Sequence, residues 1–321
     1  MYIGIDIGGT KVKYGLVDEL GNVTQRGAMS TSHQKEPFIQ ELIQLIQQFQ
    51  GARADIRGIG ISAPGIIKKN GLMTTAGAIK TLYGTNLKEE IESVVHLPVC
   101  IENDANAAAI AERWIGNAQN IENYLCIVLG TGIGGGIVIN GDIYRGGHGM
   151  AGEFGWMMID RLPAEGELES VSLNQRAAIV GGLCLRFNQK MQAVDTDFEP
   201  TYDAKSIFEQ EATNPIAAEI IRQFFEDLAT GLLNLISCFD PEVVLIGGGV
   251  SENEIFFQRL EEEVDRLGNR HSSIAYLKGQ TIAPIRQAKL KNDAGLIGAV
   301  FQVHQLLANE KIKNVFISEV R

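Results

Sequence analysis

The chain opens on YIGIDI, an apolar run over residues 2–7 that reads as a buried strand. Gly8-Gly9-Thr10 interrupts it, the chain returns as a second strand, and Gly21-Asn22 turns it again. A helical period follows, with Phe38, Leu42, Leu45, Ile46 and Phe49 on one face over residues 37–50. RGIGISAPG (57–65) reads as a buried strand ending on a Pro-Gly turn, and LPVCI (97–101) as another strand. The alanines of Ala105–Ile115 predict a helix, with Asn103 or Asp104 as its cap.

The opening layout recurs at 124–146, YLCIVLGTGIGGGIVINGDIYRG: a strand, a Gly/Thr turn, a return strand and an Asn-Gly turn. Identity between the two segments is low, but the plan is that of a duplicated α/β unit, with a glycine turn from each copy facing a shared cleft. Asn174–Lys190 and Pro215–Phe239 read as long helices. PEVVLIGGGVSENE reads as a strand, a triple-glycine turn and a helix starting near Ser251. A final helix is expected over 291–308, begun by Asp293. Alternation of strands and helices favours sheets covered on both faces. The expected fold class is α/β with two domains: residues 1–117, and a larger domain over 118–290.

Composition narrows the function. The 321 residues carry a net charge of −11, with 45% hydrophobic and 21% charged residues, as in ordinary soluble chains. That charge argues against a nucleic-acid partner, which needs a basic face. Cys100, Cys126, Cys184 and Cys238 form no CxxC pair, so we expect four buried thiols in a reducing cytosol rather than disulfides or a metal cage. No signal peptide is apparent, and the longest mostly apolar stretch, around Leu228–Phe239, falls short of a membrane span. A cytoplasmic protein without membrane contact is expected.

Several motifs carry chemistry. In DIGGTK, Gly8 and Gly9 let backbone N–H groups approach a phosphate, Thr10 adds a hydroxyl, and Asp6 is placed to hold a hydrated Mg²⁺. The same residues also suit a plain tight hairpin. Gly130-Thr131-Gly132 repeats the device, so two turns could grip one triphosphate. Gly247-Gly248-Gly249 leaves room for a nucleoside, or for a tight strand-to-helix turn. Asp104, at another strand end, fits the carboxylate that takes a hydroxyl proton in phosphoryl transfer. Glu153 and Glu169 are the acceptor type that vicinal sugar hydroxyls require, and His148 reads as a loop residue.

Together, DIGGTK (6–11), SAPG (62–65), ENDANAAA (102–109), GTGIGGG (130–136), AGEFG (151–155), IGGGV (246–250) and NDAGLIGA (292–299) resemble the ROK family of sugar kinases. The resemblance implies an actin-like/hexokinase-type ATPase fold, and ATP- and Mg²⁺-dependent transfer to a sugar hydroxyl with Asp104 as base. It implies a sugar pocket lined by Pro64, Gly65, Asn103, Asp104, Glu153 and Glu169. The nucleotide site would hold Gly8, Gly9, Thr10, Lys11, Gly130, Thr131, Gly132 and Gly247, Gly248, Gly249. The last helix, 291–310, would cross back to the first domain, and the chain would form a homodimer.

Departures from the family pattern refine the expectation. Trp156 stands where the family's ExGH ends in His, and residues 157–169, MMIDRLPAEGELE, lack the cysteines of the usual zinc segment, so no zinc site is expected. Trp156 then either stacks on the sugar or an aglycone, or fills core in place of the zinc knob. TAGAIKTLYG (75–84) replaces the usual stretch with an Asn before Trp-Gly. GAI (77–79), AERW (111–114), AGEFG and NDAGLIGAV look like the β-glucoside kinase branch, which phosphorylates the 6-hydroxyl of cellobiose-type substrates. N-acetylmannosamine kinase and glucokinase are the alternatives within the family. A non-catalytic sugar sensor is the alternative of another class.

Overall fold

In the computed structural model the opening hairpin forms from β1 (Tyr2–Ile7) and β2 (Lys11–Val17), and β3 (Val23–Ser30) extends it, all antiparallel. The structure describes residues 1–277, 279–280 and 282–319, and side chains up to residue 310 with that of 251 left aside. The first helix, α1 (Lys35–Ala52), buries Phe38, Leu42, Leu45 and Ile46 of the predicted stripe together with Ile39, while Phe49 is half-buried. Next come β4 (Ile59–Ala63), the small hairpin of β5 (Leu72–Met73) and β6 (Thr85–Asn86), α2 (Leu87–Val95), β7 (Val99–Asn103) and α3 (Asp104–Ile115). Strands β1, β4 and β7 are parallel neighbours in a sheet of order β3-β2-β1-β4-β7. IGISA of β4 is buried at every position, as a strand covered on both faces must be.

The second half begins with β8 (Tyr124–Leu129), β9 (Ile133–Ile139) and β10 (Asp142–Tyr144). Four helices follow: α4 (Leu173–Ala177), α5 (Leu185–Val194), α6 (Ala204–Glu209) and α7 (Pro215–Phe239). The chain continues through β11 (Val243–Gly248), α8 (Glu254–Gly268), α9 (Ser272–Leu277), β12 (Ile285–Gln287) and α10 (Ala294–Glu319). The second sheet runs β10-β9-β8-β11-β12, the first sheet's plan repeated strand for strand. Helix α7 has the bounds its sequence predicts, because Asn214 caps it through Ile216 N at 3.0 Å, Pro215 opens it, and Asp240 ends it in the left-handed region.

Two compact units emerge. One holds Met1–Ile121, Gly136–Ala151 and the chain from Lys289 on; the other holds Glu122–Gly135 and Gly152–Ala288. Within the first, α10 packs on α3, β4 and β1. Among the described residues no helix is long and apolar enough to cross a membrane.

The structure corrects four expectations. The helix expected over 174–190 is broken: Ala178 is extended (φ −71, ψ 158) and Ile179–Cys184 forms a wider π-type turn before α5 begins. The break exists because Ile179, Val180 and Gly181 spend their N–H groups on carbonyls of the 130–132 turn instead of on a helix. The helix expected near Ser251 starts at Glu254, after a 3₁₀ turn, where Asn253 accepts from Phe256 N at 3.1 Å. A 3₁₀ turn over Lys291–Asp293 precedes the last helix, which starts at Ala294, and Asp293 pairs with Arg26 at 3.0 Å. Cys238 is exposed and Cys100 half-buried, so only Cys126 and Cys184 are the buried thiols expected of all four.

Candidate active site

In the first unit, three parallel strands end side by side. Asp6 and Ser62, then Ser62 and Glu102, are register partners across β1, β4 and β7, and Ala63 stands beside Asn103. The buried Ser62 donates its hydroxyl to Asp6 Oδ1 at 2.9 Å, and Lys13 Nζ lies 4.0 Å from the other oxygen. Burial pushes the Asp6 carboxyl above its ordinary pKa, with the Ser62 bond and the Lys13 charge pulling the other way. A lone carboxylate beside a hydroxyl is an all-oxygen donor set of the kind that suits Mg²⁺ keeping part of its water shell.

The two glycine turns are built alike. In the first, Gly8 N donates to Lys11 O at 2.9 Å, and a Cβ on Gly8 would stand 2.9 Å from that same oxygen. Neither Gly8 nor Gly9 takes a positive φ, so tightness rather than handedness selects glycine there. Thr31 holds the turn from behind: its Oγ1 donates to Gly8 O at 2.7 Å and its N to Thr10 O at 3.0 Å. In the second unit, Ile179 N and Val180 N donate to Gly130 O at 3.1 and 3.2 Å, and Gly181 N to Thr131 O at 2.9 Å. Both turns thus have carbonyls, which would repel an anion, already engaged by donors. That fits a phosphate. Lys11 and Thr10 are exposed at the first turn, as Thr131 and Gly132 are at the second.

The first unit also gathers Pro64, Gly65, Asn103 and Asp104. Asn103 is the cap, its Oδ1 accepting from Ala105 N and Asn106 N, both at 3.0 Å. Asp104 is the first helical residue and is exposed, with Oδ1 accepting from Ala105 N at 2.8 Å. Asn103 Nδ2 donates to Gly65 O at 3.0 Å, which ties the two pairs together. Gly65 takes φ +96°, and a Cβ there would meet Thr75 O at 2.4 Å, so only glycine fits.

In the second unit, Gly247, Gly248 and Gly249 come beside the Gly130 turn because β11 pairs with β8, Gly248 opposite Leu129. Gly248 takes φ +94°, and a Cβ would stand 2.0 Å from Leu129 O. Glu153 is half-buried, and burial raises its carboxyl pKa. Asn174 Oδ1 accepts from Ile133 N at 2.7 Å and lies 2.1 Å from where a Gly155 Cβ would be, so one side chain joins AGEFG to the glycine turn. Trp156 is 49% exposed and therefore fills no core. Glu169 is exposed and accepts from Ser172 Oγ at 3.4 Å. Its segment is brought alongside Trp156's by Leu173 N to Met157 O at 2.8 Å and Ile159 N to Val171 O at 3.0 Å. His148 is exposed. Among the described residues no group of three or more His, Cys, Asp or Glu is arranged to hold a metal ion. Sequence reasoning missed Thr31, Asn174 and the 179–181 amides, none of which carries a local pattern.

Two sheets of one strand order, each with a glycine turn after its first strand, define an actin-like/hexokinase-type ATPase fold. The ROK family pattern matches residues 2–306, and the chain belongs to that family. It is similar to the β-glucoside kinase of Listeria monocytogenes, 36% identical over 302 residues that span 94% of this chain and 96% of that one. Among solved structures it is similar to a ROK family protein from Streptococcus pneumoniae in complex with sucrose, with TM-score 0.81, 30% identity, and coverage of 96% and 99%. A ROK family glucokinase from Streptomyces griseus in complex with glucose and AMPPNP gives TM-score 0.74 and 30% identity, with coverage of 93% and 97%.

Proposed function

We propose that this ROK-family sugar kinase transfers the γ-phosphoryl group of ATP to the 6-hydroxyl of a β-glucoside such as cellobiose. The observation that carries the chemistry is the division of labour at the start of α3: Asn103 caps the helix, so the Asp104 carboxylate is left exposed at its positive end. Asp104 takes the proton of the hydroxyl as it attacks. Asn103 and Gly65 orient that hydroxyl, while Glu153 and Glu169 accept from the sugar's other hydroxyls. The turns at Gly8–Lys11 and Gly130–Gly132 bind phosphates, and Gly247–Gly249 lie against the nucleoside. Asp6 would hold Mg²⁺ through water, and the chemistry Mg²⁺ supplies when bound is screening of phosphate charge.

The 36% identical Listeria relative supports a β-glucoside as substrate, and the exposed Trp156 ring suits the face of a second sugar. The glucokinase complex supports a monosaccharide as the second reading. ADP release from Mg·ATP with cellobiose, glucose or N-acetylmannosamine separates them. Turnover fastest on cellobiose is the expected result. Faster turnover on a monosaccharide moves the substrate and keeps the chemistry, whereas no sugar-dependent ADP release across the panel turns the reading to a sensor.

Trp156→Ala adds a sharper check. Loss of a stacking face worth about 1.5 kcal/mol raises KM for cellobiose about tenfold. Thermal stability changes by no more than about 0.5 kcal/mol, because the ring is exposed. An unchanged KM with a lowered melting temperature would give Trp156 a structural role instead.

A further inference from the structure

The proposed reaction gives no task to Glu102, the residue before the Asn103-Asp104 pair, although it is only 4% exposed. Its two oxygens serve different parts of the first unit. Oε1 accepts from Asn103 N at 3.1 Å and from Asn106 Nδ2 at 3.2 Å, and so spans the start of α3. Oε2 accepts from Arg145 Nε at 3.1 Å and, in a closer contact, from its Nη2. Arg145 follows β10 directly, and its carbonyl accepts from Ala151 N at 3.3 Å, which closes the loop 145–151.

Asn106 shows how firmly this arrangement is imposed. It is 3% exposed, and its Oδ1 has no hydrogen-bond partner among the described residues. Turning the amide over would set that oxygen against Glu102 Oε1, acceptor facing acceptor. The side chain therefore keeps its donor on Glu102 and leaves a buried acceptor unmet, a costly state that the carboxylate dictates. A carboxylate this buried needs a counter-charge, and Arg145 is the residue that supplies it.

We propose that Glu102 and Arg145 are a positioning pair for the Asn103-Asp104 turn. Glu102 sets the turn's backbone from the interior, and Arg145 makes the loop 145–151 part of the same rigid body. The inference rests on Asp104 being the base, because its kinetic consequence is displacement of that carboxylate. A misplacement near 1 Å at such a site costs about 100-fold in rate.

The test uses the full chain as Glu102→Gln, Arg145→Met and Arg145→Lys, beside wild type. Glu102→Gln and Arg145→Met each lower kcat on the best sugar about 100-fold. KM for ATP stays unchanged, and Arg145→Lys recovers most of the loss. Hydrogen exchange without ligands supplies a readout independent of activity. Exchange over 99–106 and 145–151 rises together in Arg145→Met, while that over 2–7 does not. Full activity in Glu102→Gln and Arg145→Met overturns the pairing, and so does unaltered exchange over 99–106. Should Arg145→Met unfold throughout, the isosteric Glu102→Gln carries the same comparison. A wild type without sugar-dependent turnover defeats the kinase reading alone, and the exchange data then decide the pairing by themselves.

Discussion

Asp104→Asn lowers kcat by about 10²- to 10⁴-fold, the contribution of a general base in the transition state. The variant keeps the size and the acceptor of the side chain, so the bond from Ala105 N survives. What it loses is the ability to take a proton. The start of α3 does not depend on that charge, because Asn103 does the capping. Stability therefore falls by about 1 kcal/mol at most, the worth of one anion at a helix N-terminus. Kinetics of ADP release beside a thermal melt of the same preparation make the measurement. An active Asp104→Asn enzyme would remove Asp104 from the chemistry and leave it as a first-turn carboxylate.

The second large effect concerns a glycine where α10 crosses α3. A Cβ on Gly298, in α10, would stand 1.8 Å from Ala107 O and 2.5 Å from Ala107 C, both backbone atoms of α3. The helix has nowhere to retreat, because on β4 a Cβ at Gly60 would already meet the Ala299 carbonyl carbon at 2.3 Å. Gly298→Ala costs about 3 kcal/mol or more in overpacking, well beyond the ~1 kcal/mol that alanine gains in helix propensity. Ala107 lies one turn into α3, so the same displacement reaches Asp104 and lowers kcat as well. Chemical denaturation, with kcat measured where the variant is folded, checks both. A stabilised Gly298→Ala would mean that the two helices are not packed this closely.

Local chemistry made half of the candidate site legible. Asp6, the two Gly/Thr turns and Asn103-Asp104 announce themselves because strand ends and glycines carry their signal within a few residues. Which of Asn103 and Asp104 caps α3 could not be read, since both side chains have the right acceptor and only the backbone chooses. The break at Ala178 was hidden for a different reason. Its residues have a helical pattern, and what overrides it is the demand of Gly130 and Thr131 carbonyls dozens of residues earlier. Thr31, Asn174 and Arg145 were equally silent, since each acts on a partner that only the fold brings near. The duplicated plan was legible because both copies pair the same hairpin with the same later strands.

The place of α10 bears on how the chain is made. Strand β1 is synthesised long before the helix that covers it and β4. At about 5–20 residues per second the apolar positions of β1 and β4 wait on the order of tens of seconds for that cover. The second unit, 122–135 and 152–288, emerges complete meanwhile. Birth order and folding order are thus inverted: the unit whose β1 emerges early is the unit that must wait for α10. In the cell, that interval is when the nascent chain most needs a chaperone, and a chain cut short before Ala294 lacks the helix that covers β1 and β4.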